Sequence, residues 1–390
     1  MRSTSGAINV RQQNLARVLR LVHLSGPLSR AALTEATGLN RSTIADLVAQ
    51  LSDEGLVAER DPDPSSRVGR PSNIVVADPR VVAIAANPEV DAITIAAVGL
   101  DREIRVSQRI EMTAAPTATD AADVVSATIQ SWTGGPLHGS RIVGVGLAVP
   151  GLVRARDGLV RSAPHLGWTD APIADHVRMR TGLPVAIEND ASFGALAEHR
   201  FGAARGHDYA VYLNGGASGI GGGLIVHGQP TGGAMGYAGE FGQNRPGIGS
   251  DADRTARDGV LEDEVSRARL LSYVGLTSAD EPTLAAALRN AQPPAHHEMG
   301  RQRRILATAL ANAVNVLNPT VVVLGGHLAT LAESDMDELR RLVVAQAMPA
   351  TMEDVEIRVA SLGEDRLLIG AAEGAFEALL NAPTGGNPAA

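Results

Sequence analysis

The chain has 390 residues, enough for two or three domains with a well-buried core. It contains no cysteine, and all 34 basic residues are arginine. Those absences exclude disulfides, thiolate metal sites, cysteine nucleophiles, lysine-dependent P-loops and Schiff bases. With 44% hydrophobic and 20% charged residues the chain reads as globular, and at 3% aromatics its core must come from Ala, Val, Leu and Ile.

No apolar run reaches the ~18 residues of a membrane span, and the N-terminus lacks a signal-peptide layout, so the cytoplasm is the expected compartment and no membrane partner is expected. The net charge of −9 is unevenly spread. Residues 1–80 carry 10 Arg against 8 acids (+2), and residues 81–390 carry 24 Arg against 35 acids (−11). An acidic body repels nucleic acid, so any DNA contact is expected within the first 80 residues.

In chain order, Leu15, Val18, Leu19 and Val22 recur at helical spacing up to the break at Gly26-Pro27. Ser29 is placed to cap a second helix over 30–36, Thr37-Gly38-Leu39-Asn40 reads as a tight turn, and Asn40 caps a third helix that buries Ile44, Leu47, Val48 and Leu51. Two short strands, 55–59 and 72–76, flank a polar loop, 61–70. Helix, helix, turn, helix and hairpin together match a winged helix-turn-helix. The start of the third helix offers Arg41, Ser42, Thr43 and Asp46 to a major groove, and Arg67 and Arg70 in the Gly/Pro-containing loop suit a narrow minor groove. A small helical domain with a bland linker is the competing reading.

From about residue 81, apolar strands alternate with helices. Strands are expected at 81–86, 92–98, 142–148, 185–187, 210–213, 222–226, 321–324 and 355–359, with helices such as 121–132, 173–181, 194–201 and 301–317. This alternation predicts an α/β domain, whose size suggests two lobes and a cleft. The domain limits read as a flexible N-terminus over 1–13, a winged helix over 14–78, an α/β effector domain over 79–382 and a disordered tail over 383–390.

Several motifs then share one pattern: Val68-Gly69-Arg70-Pro71, Val145 to Gly151, Ser162 to Trp168, Glu188-Asn189-Asp190, the Gly-rich run from Gly215 to Gly223, Gly239-Glu240, and Asn318-Pro319 to Gly325-Gly326. This set resembles the ROK (repressor, ORF, kinase) family, and within it the transcriptional regulators that join a winged helix to a sugar-kinase-like domain. The resemblance implies an α+β winged helix-turn-helix followed by a two-lobed α/β actin-like, ribonuclease H-like domain. It also implies a sugar site made by Asn189, Asp190, Glu240, Gln243 and Glu262, with Asp190 at the position of the kinases' general base.

Two departures from the family pattern bear on chemistry. Ala85-Ala86-Asn87-Pro88-Glu89 stands where the kinases carry Asp-x-Gly-x-Thr for metal and phosphate, so no catalysis is expected. Gln243, Asp253, Thr255 and Val260 stand where zinc ligands are usual, so neither metal nor cofactor is expected, and the 247–258 loop is expected to be loose. The resulting expectation is a DNA-binding regulator, a repressor of carbohydrate-related genes. It would sense a sugar or sugar derivative and bind a double-stranded operator as a homodimer or homotetramer. A working sugar kinase with a fused DNA-binding domain, and a regulator answering to a protein partner, are the alternatives.

Overall fold

The computed structural model describes residues 3–61, 73–256 and 259–384. The N-terminal part comprises α1 (Ser3–Ser25), β1 (Leu28–Ser29), α2 (Arg30–Thr37), α3 (Arg41–Asp53), β2 (Val57–Arg60) and β3 (Ile74–Ala77). Local chemistry explains its boundaries. The Ser29 hydroxyl accepts from Ala32 N at 3.0 Å, Gly38 takes the left-handed conformation (φ 70°) that ends α2, and the Asn40 side chain accepts from Thr43 N at 2.8 Å to start α3. The three strands pair in the order β1-β3-β2, so the hairpin gains an edge strand beside Ile74 and Val75 that the apolar pattern does not announce.

Two corrections fall at the termini. The stretch 1–13, expected to be flexible, is helical from Ser3 onward. Gln12 and Thr384 exchange side-chain hydrogen bonds at 2.8 and 3.0 Å, so the start of the expected tail is held and Thr384 is buried. Residues 385–390 lie outside the described residues.

The first lobe runs β4 (Val81–Pro88), β5 (Ala92–Gly99), β6 (Ile104–Glu111), α4 (Ala118–Thr133), β7 (Arg141–Val149), β8 (Leu152–Val153), β9 (Val160–Ala163), β10 (Trp168–Ala171), α5 (Ile173–Thr181), β11 (Val185–Asn189) and α6 (Asp190–Phe201). The second runs β12 (Ala210–Gly216), β13 (Gly219–Val226), β14 (Gln229–Pro230), α7 (Leu261–Glu264), α8 (Arg267–Tyr273), α9 (Glu281–Arg289), α10 (Pro293–Leu317), β15 (Val321–Gly326), α11 (His327–Ser334), α12 (Met336–Val344), β16 (Glu356–Val359) and α13 (Arg366–Asn381).

The two main sheets share one topology. The first is ordered β11-β7-β4-β5-β6 and the second β14-β13-β12-β15-β16, each an antiparallel meander extended by two parallel strands. The last helix of each half crosses to the other lobe: α13 packs on β7 and β4, and α6 on β12 and β13. The crossing is tight. A Cβ added at Gly146 would fall 1.8 Å from the Ala371 carbonyl oxygen, and one at Gly370 would fall 2.0 Å from that of Phe193.

The core therefore reaches across the whole molecule. Leu15, Leu19, Leu33 and Ile44 of the N-terminal part share one apolar cluster with Ala83 and Ala85 of β4 and Phe376 and Leu380 of α13. Three further clusters fill the outer face of the first sheet and both faces of the second.

Gly370→Ala should cost roughly 1–3 kcal/mol, because backbone rather than a flexible side chain blocks the new methyl group. Gly300→Ala in α10, where a Cβ meets nothing nearer than 3.7 Å, should instead gain about 0.5–1 kcal/mol. Opposite shifts in melting temperature by scanning calorimetry would bear this out.

Candidate functional site

The parallel strands β7 and β11 end side by side, with Asn189 paired to Val149, and the chain turns from β11 straight into α6. Helix α6 begins at Asp190, four residues earlier than its apolar pattern suggests, because Asn189 caps it: its Oδ1 accepts from Ala191 N at 2.9 Å and Ser192 N at 3.2 Å. The Asn189 Nδ2 donates to the Gly151 carbonyl at 3.1 Å, which ties α6 to the loop after β7. The Asn189-Asp190 pair is thus a helix cap and, at the same time, part of the wall of a cleft.

That cleft is a cavity of about 350 Å³ between the lobes, lined by Asn189, Asp190, Glu240, Gln243 and Glu262. All five expected site residues meet there. Glu262, on α7, is held at both carboxylate oxygens, one accepting from Gln243 Nε2 at 2.6 Å and the other from Ile220 N at 3.1 Å. Ser162, His165, Asn214 and Ser218 also border the cavity. Sequence reasoning assigned these no role, although Ser162 and His165 fall within one of the shared motifs.

The cavity has a marked electrostatic sign. Three carboxylates face it, and among the described residues no arginine lines it. Desolvation pushes the Asp190 carboxyl above the usual carboxylate range, against a hydrogen bond from Ala191 N. Glu240 is raised by desolvation and then by its neighbours Asp190 and Glu262. Just outside, burial also raises Glu188 and Glu89. Such a wall accepts hydrogen bonds from hydroxyl or amine protons and repels anions.

The turn after β4 is held by internal bonds. Asn87, at the end of β4, is buried and donates to the Ala148 carbonyl at 2.9 Å. Pro88 continues the strand opposite Ile93, and Glu89 follows with its backbone N–H donating to Ala92 O. The Gly-rich run forms the β12–β13 turn. Beside it the Asn214 Oδ1 is taken up by the buried guanidinium of Arg366 at 2.8 Å, which also pairs with Glu281.

The loop from 247, described up to 256, corrects an expectation. It is pinned, not loose. Glu264 accepts from Thr255 N, Thr255 Oγ1 and Ala256 N, Asp253 pairs with Arg304 at 2.6 Å, and Arg301 joins Glu264 at 2.9 Å to Glu298 at 2.9 Å. Burial raises the Glu298 carboxyl, but Arg301, Arg269 and Gln302 overcome it and bring it down to about 2. Val260 stands at the N-terminus of α7 with its N–H donating to Asp263. Among the described residues, no group of three or more His, Asp or Glu side chains is placed to hold a metal ion.

On the N-terminal part, Arg41, Ser42 and Asp46 are exposed on α3 and Thr43 is half-buried, while Arg30 and Glu59 pair at 2.5 Å beneath them and fix α2 against β2. Arg67 and Arg70 lie outside the described residues.

A helix-turn-helix with a three-stranded sheet, joined to two ribonuclease H-like lobes around an acidic cleft, defines a sugar-kinase-like regulator architecture. The chain belongs to the ROK family, whose profile matches residues 89–377. The xylose repressor of Caldicellulosiruptor bescii is 26% identical over 383 residues, covering 93% of this chain and 94% of that protein. The glucokinase of Thermotoga maritima is 32% identical over 246 residues, covering 58% of this chain and 77% of the enzyme. Among solved structures, a ROK family transcriptional regulator homologous to the E. coli MLC protein superposes with a TM-score of 0.73 at 21% identity, over 96% of this chain and 98% of that one, and so shares the fold.

Two predictions follow from the charges. Asp190 and Glu240 have raised folded-state pKa values, so the folded protein binds protons more tightly than the unfolded chain and each ionised carboxylate weakens the fold at neutral pH. Asp190→Asn should raise the melting temperature at pH 7, with the gain fading as the pH falls toward about 4. Arg301→Met strands the buried Glu264 and Glu298 and should cost about 3–5 kcal/mol, whereas EDTA should leave the wild-type melting temperature unchanged.

Proposed function

We propose that this protein is a DNA-binding transcriptional repressor of carbohydrate-related genes, released from its operator by an uncharged sugar that it binds but does not phosphorylate. The observation that carries this reading is the asymmetry of the cleft. The acidic and amide wall suited to hydroxyl groups is complete, while the turn that would face a nucleotide's phosphates presents Asn87 turned inward, Pro88 and the carboxylate of Glu89.

The relatives support it. The xylose repressor aligns over 93% of this chain, whereas the glucokinase aligns over 58% of it. Asn189, Asp190, Glu240, Gln243 and Glu262 contact the sugar in this reading. Arg41, Ser42, Thr43 and Asp46 face the major groove, and Arg67 and Arg70 the minor groove. One helix reads few base pairs, so a homodimer or homotetramer on paired half-sites, acting in the cytoplasm, completes it. No helix among the described residues is long and apolar enough to cross a membrane.

With a duplex selected by the wild-type protein, gel shifts should show salt-sensitive, sequence-preferring binding. Arg41→Ala should weaken it by roughly tenfold or more. D-Xylose, D-glucose or N-acetylglucosamine should raise the melting temperature, and glucose 6-phosphate and gluconate should not. A coupled assay with ATP and the same neutral sugars should release no ADP. ADP release abolished by Asp190→Asn would make the protein a kinase instead.

A further inference from the structure

Helix α1 of the winged helix meets the effector domain through a buried polar contact, where apolar packing would have sufficed. His23 is 1% exposed, and its Nδ1 lies 2.6 Å from the Leu100 carbonyl while its Nε2 lies 2.9 Å from Glu373 of α13. The Leu100 carbonyl can only accept, so Nδ1 donates to it, and Nε2 faces the Glu373 carboxylate. Arg200, at the end of α6, reaches the other oxygen of Glu373 at 2.6 Å and Glu377 at 2.8 Å, and Arg20 of α1 reaches Glu377 at 3.1 Å. The Phe201 ring stands edge-on to His23 at 5.7 Å, under the guanidinium of Arg102.

Three bodies therefore converge on one imidazole: the end of the first lobe's β5 at Leu100, helix α13, and the last turn of α6. The same α6 begins with Asp190 in the wall of the cleft, about 18 Å away along its axis. It is a stiff lever. Glu198, fully buried, accepts from Ala203, Ser361 and Leu362 N–H groups and ties the end of α6 to the second lobe, while α13 lies against the sheet of the first. A change in lobe angle about the α6–α13 crossing moves Arg200 and Phe201 relative to Leu100, and His23 is bonded to that junction.

We propose that His23, through Glu373 and Arg200, is the positioning residue that carries occupancy of the cleft to the winged helix. This rests on the sugar-responsive repressor reading above. Coupling between the two sites is then a property of the contact itself and separable from either affinity, and it is reciprocal: DNA changes sugar affinity by the factor by which sugar changes DNA affinity.

The test measures operator Kd with and without D-xylose, D-glucose and N-acetylglucosamine, and sugar Kd with and without operator, for wild type, His23→Gln and Arg200→Met. In the wild type one sugar should weaken operator binding by about tenfold or more. In each variant the separate affinities should stay within about threefold of wild type while the coupling factor falls below about twofold. A merely structural contact predicts the opposite, lower melting temperature with coupling intact. If no sugar moves wild-type DNA binding, the repressor reading fails and takes this proposal with it. If the wild type responds and the variants respond fully, only the proposal is overturned. Should His23→Gln not fold, Arg200→Met decides alone, since its side chain is 14% exposed and half of its pairing points outward to Glu377.

Discussion

The close approach of α13 to β7 at Gly146 and Ala371, and of α13 to α6 at Gly370 and Phe193, governs what the rest of the molecule can do. With backbone against backbone, no side-chain layer separates the two crossing helices at these points. Each lobe is built around the other's last helix. The N-terminal part has a core continuous with α13 and β4, so it is packed against the same crossing.

Lobe two shows a different way of fixing a loop. The segment that leads to Glu262 is anchored by the Glu264–Arg301–Glu298 network and by Asp253–Arg304, all made from residues on the chain itself. Buried ion pairs contribute little net stability, since desolvation offsets most of the attraction, but breaking one is costly and their geometry is exacting. Their contribution here is placement: α7 is held so that the Glu262 carboxylate accepts from Ile220 and Gln243 at the cavity wall. Reading the 247–258 loop as loose failed for its described part, up to 256, because it followed the missing cysteines and gave no weight to Arg301 and Arg304, one turn apart on α10.

The caps and turns of the winged helix were legible because Ser29, Gly38 and Asn40 act locally, each satisfying or terminating the helix beside it. The apolar strands of both sheets were legible for the same reason. The five cleft residues were legible as a set only through the family likeness, since Asn189-Asp190 alone reads as a cap, which it also is. What escaped was long-range. Helix α13 carries Gly370 and Gly374, which weaken its helical signal and admit Phe193 of α6, far away in sequence. β6, mostly polar and exposed, gives no apolar run, and β8 to β10 are too short for one. His23 follows Val22, the last residue of the apolar stripe of α1, and nothing local says that Glu373 will meet it.

The acidity of the cleft bears on how such a molecule would respond to a ligand. Asp190 and Glu240 are desolvated, and the charge of Arg366 does not offset this at Asp190, so closing the lobes over an empty cavity would deepen a cost already visible in their raised pKa values. Hydroxyl protons relieve that cost by donating to the carboxylates as water is expelled. Closure over such a ligand would be favoured over closure of the empty cavity, and that difference is the differential affinity that any population shift requires. An anion would add to the repulsion instead. On the repressor reading proposed above, the Asp190 carboxylate would then make the closed state conditional on a neutral, hydroxyl-bearing ligand.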